Sequence, residues 1–131
     1  MQAGQIIALD LGQRKTGLAR ASTYARLPEP LTTLATEEVL PTLSKMDDLA
    51  AVVVGLPRNM KGEDTEQTRW VRAWAGPAKA ALPGIAFYWQ DEALTSKLSG
   101  GGEHKTSEDA RAAAIILQDF LNSNEADRSA I

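Results

Sequence analysis

Ile6 to Leu11 form an apolar run interrupted by a single acid, Asp10. A compact run of this kind reads as a buried strand. Gly12-Gln13-Arg14-Lys15-Thr16-Gly17 supplies a turn, and Leu18 to Ser22 reads as the return strand of a hairpin. Pro28 and Pro30 mark a loop, and Leu31 to Leu34 predicts a third strand. Thr36 followed by Glu37 and Glu38 signals a helix start, with acids where the helix dipole favours them, and that helix would run to about Lys45. Leu49 to Val54 is apolar on both faces, as in the middle of a parallel sheet, and Gly55-Leu56-Pro57 ends it. A polar loop then leads to Asp64.

From Thr65 a helix carries Trp70, Val71, Trp74, Ala75, Ala78 and Leu82 at helical spacing, with a break or kink predicted at Gly76-Pro77. Ile85 to Trp89 is the next strand, Gln90 to Ser99 a short, partly helical connection, and Gly100-Gly101-Gly102 a flexible loop. The last helix starts near Thr106, and Ala110, Ala113, Ala114, Leu117, Phe120 and Leu121 form its apolar stripe. From Asn122 the tail, 122–131, is polar and predicted to fray. The order β-β-β-α-β-α-β-α predicts an α/β fold, with a central mixed five-stranded sheet whose strands are antiparallel first and parallel afterwards.

Composition narrows the chemistry. The chain has 131 residues, no Cys and one His, His104. That length suits a single domain over 1–131 with a core of its own. Disulfides, thiolate zinc sites, thiol catalysis and His-rich metal sites are excluded, and a cytoplasmic setting is expected. No apolar run reaches the roughly 18 residues of a membrane span, so no membrane partner is expected. With a net charge of −3 and pI of about 5.1, nucleic-acid binding has to rest on local basic patches.

Three acids stand apart from the solvated ones. Asp10 interrupts an apolar strand, where an ionised carboxylate costs several kcal/mol unless compensated; the plain reading is a strand-end residue capped by the turn. Glu92 follows the strand Ile85 to Trp89, at the carboxyl end where functional groups of open α/β sheets gather; an ordinary loop or helix-start acid fits equally. Asp109 completes a capping-box pattern, Thr106-Ser107-Glu108-Asp109, and capping alone would account for it. The alanines that follow would let that helix lie close to the sheet and hold its first turn near the strand ends. Together the three acids would suit hard divalent cations, Mg2+ or Mn2+. Two such ions about 4 Å apart can activate water and stabilise the leaving oxygen in phosphoryl displacement.

At four places the sequence resembles the YqgF/RuvX family. Ala8-Leu9-Asp10-Leu11-Gly12 with Thr16-Gly17-Leu18-Ala19 resembles that family's N-terminal hairpin. Val53 to Gly62 is similar to its "VGLP-x-N-M-x-G" loop, Asp91 to Ser96 to its "DERLTS" segment, and Asp109 to Leu117 to its last helix. The resemblance implies an RNase H-like fold and a metal-dependent nuclease using Mg2+ or Mn2+, with catalytic and metal-binding acids at Asp10, Glu92 and Asp109. The expected substrates are the 5′ end of precursor 16S rRNA or, alternatively, a four-way (Holliday) DNA junction, whose two symmetric cuts would call for a homodimer. The sequence departs from the family at Ala93, where the family has Arg, and at Glu108, where an apolar residue is usual. Ala112 stands where related resolvases carry a further acid.

Arg14 and Lys15 in the hairpin turn, Arg58, Asn59 and Lys61 in the central loop, and Lys97 and Lys105 around the glycines would form a basic rim for phosphates. Scattered solvated charge is the alternative. Gly100 to Thr106 lacks the glycine of a P-loop before Lys105 and reads as a lid, with His104 solvated or aiding proton transfer. Trp70 and Trp74, one helical turn apart, read as core packing, with base stacking as the alternative. Thr95 and Ser96 have no base near them in sequence. Two other function classes remain: an actin-type phosphotransferase, suggested by Asp10-Leu11-Gly12, and a nucleic-acid-binding module without catalysis, suggested by Ala93 and Glu108.

Overall fold

The computed structural model describes residues 3–93, 108–125 and 128–131. The chain opens as an antiparallel meander of β1 (Gln5–Leu11), β2 (Lys15–Ser22) and β3 (Glu29–Ala35). A 3-10 turn at Thr36–Glu38 leads into α1 (Val39–Ser44), and β4 (Leu49–Arg58) then lies parallel to β1. After α2 (Glu66–Ala81), β5 (Ala86–Ala93) adds parallel to β4. The described chain ends with α3 (Glu108–Asn122) and a two-residue strand, β6 (Ser129–Ala130). The sheet order is β3-β2-β1-β4-β5-β6, so the mixed sheet predicted from the pattern is present with one strand more than expected.

Alternation along the strands sorts the core into two layers of different character. Ile7, Leu9 and Leu11 of β1, with Val52, Val54 and Leu56 of β4, face one side, where α1 and α2 supply Val39, Leu43, Val71 and Ala78. The opposite side sets small residues, Ala8, Ala19, Ala21 and Ala51, among Ile6 and Val53, and meets Ala113, Ile116, Leu117 and Phe120 of α3. An alanine-lined sheet facing an alanine-bearing helix allows close approach, and this sets where the first turn of α3 comes to rest.

Several expectations change. The helix expected over 36–45 begins as a 3-10 turn, because Pro41 has no amide to bond back to residue 37. α2 runs unbroken through Pro77. Ala73, which loses its amide partner, and Pro77 are both exposed, so water can satisfy the freed carbonyl. β4 continues past Gly55-Leu56-Pro57 to Arg58; from Gly55 to Pro57 it pairs only with β5, and a position paired on one side tolerates proline. β5 likewise extends to Ala93, so residues 90–93 are strand rather than a partly helical connection.

The tail, expected to fray from Asn122, instead stays in α3 to that residue and returns at Ser129–Ala130 to cover the outer edge of β5. The Ile131 amide donates to the Phe87 carbonyl at 2.9 Å, and the Arg128 guanidinium stacks 4.2 Å from the Phe120 ring centroid. Lys97, Lys105, His104, Thr95, Ser96 and the triple glycine lie outside the described residues.

Candidate active site

Asp10 is the penultimate residue of β1 and shares its face with Ile6 and Ala8, the side covered by α3. Its antiparallel partner is Gly17. That glycine is what admits Asp109: a Cβ built there would fall far inside van der Waals contact of the Asp109 carbonyl and 2.7 Å from the Ala110 amide nitrogen. The first turn of α3 therefore rests on bare backbone, directly beside Asp10. Farther along, Gly55 serves α3 in the same way, its missing Cβ leaving room for the Ile116 side chain.

The two carboxylates feel one another. Asp10 is pushed up to about 6, first by burial and then by the charge of Asp109. Neither acid takes part in the ion pairs found among the described residues, which all lie elsewhere. A half-buried carboxylate facing a like charge is a position that a bound cation would relieve.

Glu92 arrives from β5 on the same face, but at a distance. Leu9 is level with Val54, and Val54 with Trp89, whereas Glu92 pairs with Pro57. Two strand spacings and about two residues of rise place the Glu92 and Asp10 Cα atoms roughly 12 Å apart. Instead of joining Asp10, the Glu92 carboxyl bonds with Asp119, ten residues along α3 from Asp109. Burial, that bond and the Asp119 charge hold it well above the usual carboxylate range. The three acids singled out in the sequence are thus brought to one face as a close pair and an outlier. Among the described residues, no three carboxylate or imidazole groups converge closely enough to hold one metal ion.

Asp119 was missed in the sequence, where it reads as an exposed acid on the helix's polar side.

The basic rim is only partly free. Arg14 in the hairpin turn and Lys15 at the start of β2 are exposed and line an open cleft of about 890 Å3 that also includes Asp109. Arg58, by contrast, is tied down: its Nε lies 3.3 Å from Asp64 Oδ1 and 3.5 Å from Asp91 Oδ1, and its Nη1 donates to the Gly62 carbonyl. Asn59 braces the same loop, its Oδ1 accepting from the Lys61 and Glu63 amides at 2.9 Å. Both residues organise the loop, and Lys61 remains exposed. Arg72 pairs with Asp64, holds that carboxyl below its ordinary range, and stacks over Trp89.

Comparison with known proteins shows the family and the fold. The sequence profile of a family described as "RuvX: Holliday junction resolvase" matches residues 4–123. The chain belongs to the RuvX family. A RuvX relative from Porphyromonas gingivalis is 32% identical over 91% of this chain and 96% of its own. One from Rubrobacter xylanophilus is 34% identical over 90% and 92%. One from Parabacteroides distasonis is 31% identical over 93% and 97%. All three carry the provisional name pre-16S rRNA nuclease. The solved structure of T. thermophilus RuvC in complex with a Holliday junction substrate superposes with a TM-score of 0.57 at 16% identity, covering 98% of this chain and 99% of that one. This match shows the RNase H-like fold expected from the sequence.

Proposed function

We propose that this RuvX-family nuclease is a divalent-metal-dependent endonuclease that processes the 5′ end of precursor 16S rRNA. The observation that carries the nuclease reading is the pairing of Asp10 with Asp109 at the carboxyl end of β1, made possible by Gly17. The relatives' shared name carries the choice of substrate.

In this reading Asp10 and Asp109 hold Mg2+ or Mn2+, because an all-oxygen donor set without thiol or imidazole suits hard cations. When bound, the metal supplies Lewis-acid activation of water and neutralises charge on the phosphodiester. Glu92 is the third catalytic acid and reaches the pair by exchanging its bond to Asp119 for the site. Arg14 and Lys15 position backbone phosphates alongside, and Lys61, with Lys97 and Lys105, extends the track. Arg58 and Asn59 contribute by holding the loop that carries Lys61. No described helix is long and apolar enough to cross a membrane, and a substrate of this kind implies work in the cytoplasm.

The description attached to the RuvX profile favours a second reading, cleavage of four-way DNA junctions, which would require a homodimer to place two cuts. The two readings separate when a labelled precursor 16S leader RNA and a mobile four-way junction are incubated side by side with Mg2+, Mn2+ or EDTA. Metal-dependent cutting of the RNA alone is the expected result. Cutting of the junction alone would transfer the assignment to resolution, and binding without cutting under any metal would leave a binding module.

A further inference from the structure

Beside the acid pair, the cleft lined by Arg14, Lys15 and Asp109 continues to Trp74 of α2, and its volume of about 890 Å3 lies in the range of pockets that take small organic ligands. We infer that this cleft is a base-binding pocket for an unpaired nucleotide of the substrate strand next to the cleaved phosphate, with Trp74 as its stacking surface. The inference rests on the nuclease reading and adds to it a preference for single-stranded substrate at that position.

Four observations support this occupant. Trp74 packs against the buried core while also lining the cleft, so the protein braces a side chain that borders the space a ligand would fill. Arg14 and Lys15 are exposed there and suit the phosphates on either side of a base. Of the two acids on the lining, Asp109 belongs to the acid pair, and Glu37 suits the exocyclic amino group of a base.

The fourth observation is that the wall is built before any ligand arrives. Thr36 Oγ1 donates to the Gly12 carbonyl at 2.6 Å and lies 2.8 Å from the buried Thr16 hydroxyl, while the Thr36 amide donates to the Arg14 carbonyl at 2.9 Å. The hairpin turn is therefore locked to the end of β3, and its two cations have fixed roots. A base inside a duplex has both faces covered by its neighbours, so only an unpaired or extruded base can present a face to an indole.

The test measures binding and cutting separately. Fluorescence anisotropy in EDTA gives the affinity of wild type, Trp74→Leu and Trp74→Phe for the leader RNA, for RNAs with one abasic residue at successive positions around the cut, and for a full duplex. Trp74→Leu is expected to weaken binding of the intact RNA roughly 5- to 150-fold, the loss of one base–aromatic stack. Trp74→Phe is expected to retain most of the affinity. The Trp74→Leu loss should vanish for one abasic position and for the duplex. A loss that persists at every abasic position, or no loss at all, overturns the pocket.

If Trp74→Leu does not fold, 2-aminopurine placed at successive positions and read with wild type decides the matter. Quenching at one position supports the pocket, and quenching at none refutes it. If wild type cuts the RNA while the Trp74→Leu and abasic losses are only additive, the pocket falls and the nuclease stands. A wild type that binds no nucleic acid loses both.

Discussion

Replacing Gly17 by alanine tests the joint on which the site depends. The added methyl would lie 2.7 Å from the Ala110 nitrogen and closer still to the Asp109 carbonyl, where ordinary contact begins at 3.4 Å. The first turn of α3 must retreat by about 0.7 Å to clear that nitrogen and by more to clear the carbonyl, since β2 is held on both sides by β1 and β3. Overpacking of this kind costs about 1–3 kcal/mol, read as a lower urea midpoint at unchanged slope. The same retreat draws Asp109 away from Asp10, and a displacement near 1 Å at a reacting centre can cost about 100-fold in rate. Single-turnover cleavage should therefore fall about 100-fold while the far-ultraviolet circular dichroism stays native. The pKa of Asp10 should drop as the field of Asp109 weakens. Wild-type stability together with wild-type cleavage in Gly17→Ala would refute the reasoning, because α3 could not then be seated on that backbone.

Gly76→Ala is the matching control: the glycine is exposed inside α2, a Cβ there meets nothing within 4 Å, and the change should stabilise by about 0.5–1 kcal/mol in urea unfolding without altering cleavage. Thr36→Val removes the donor to the Gly12 carbonyl and the partner of buried Thr16; thermal or urea unfolding should show a loss of about 1–3 kcal/mol. Asp10 gives a pH signature. Its folded value of about 6 lies above the unfolded one, so the folded state binds the extra proton between them, and stability is lost as pH rises through that window. Asp10→Asn should therefore match wild type near pH 4 and exceed it at pH 7 by at most about 3 kcal/mol, measured by urea unfolding without metal. A gap that stays constant with pH would argue against a carboxylate strained by burial.

The fold was legible because its strands announce themselves. The doubly apolar run at Leu49 to Val54 could only be central, and the hairpin before it had its turn residues in place. Elements ended where sequence could not see their neighbours. Pro57 ends a strand in isolation but is tolerated where β4 has a single partner, and Pro77 breaks a helix unless its orphaned carbonyl faces water. The two-residue β6 carries no pattern of its own and exists because the edge of β5 was open. At the site, the close pair Asp10 and Asp109 followed from an acid in an apolar strand and a run of alanines after a helix start. The separation of Glu92 did not, because it depends on strand register and on Asp119, whose nearness to β5 is set by the path of α3 across the sheet. Arg58 and Asn59, read in the sequence as phosphate ligands, also brace their own loop, and those bonds could not be read from the pattern.

The most direct measurement is cleavage of the labelled precursor 16S leader by wild type and Asp10→Asn at pH 7.5 with Mg2+ and Mn2+, each preparation checked for folding by urea unfolding. The account predicts a metal-dependent cut by wild type that is abolished in a variant at least as stable as wild type. Equal cutting by Asp10→Asn would contradict it, since the acid that the fold keeps half-buried beside Asp109 would then have no part in the reaction.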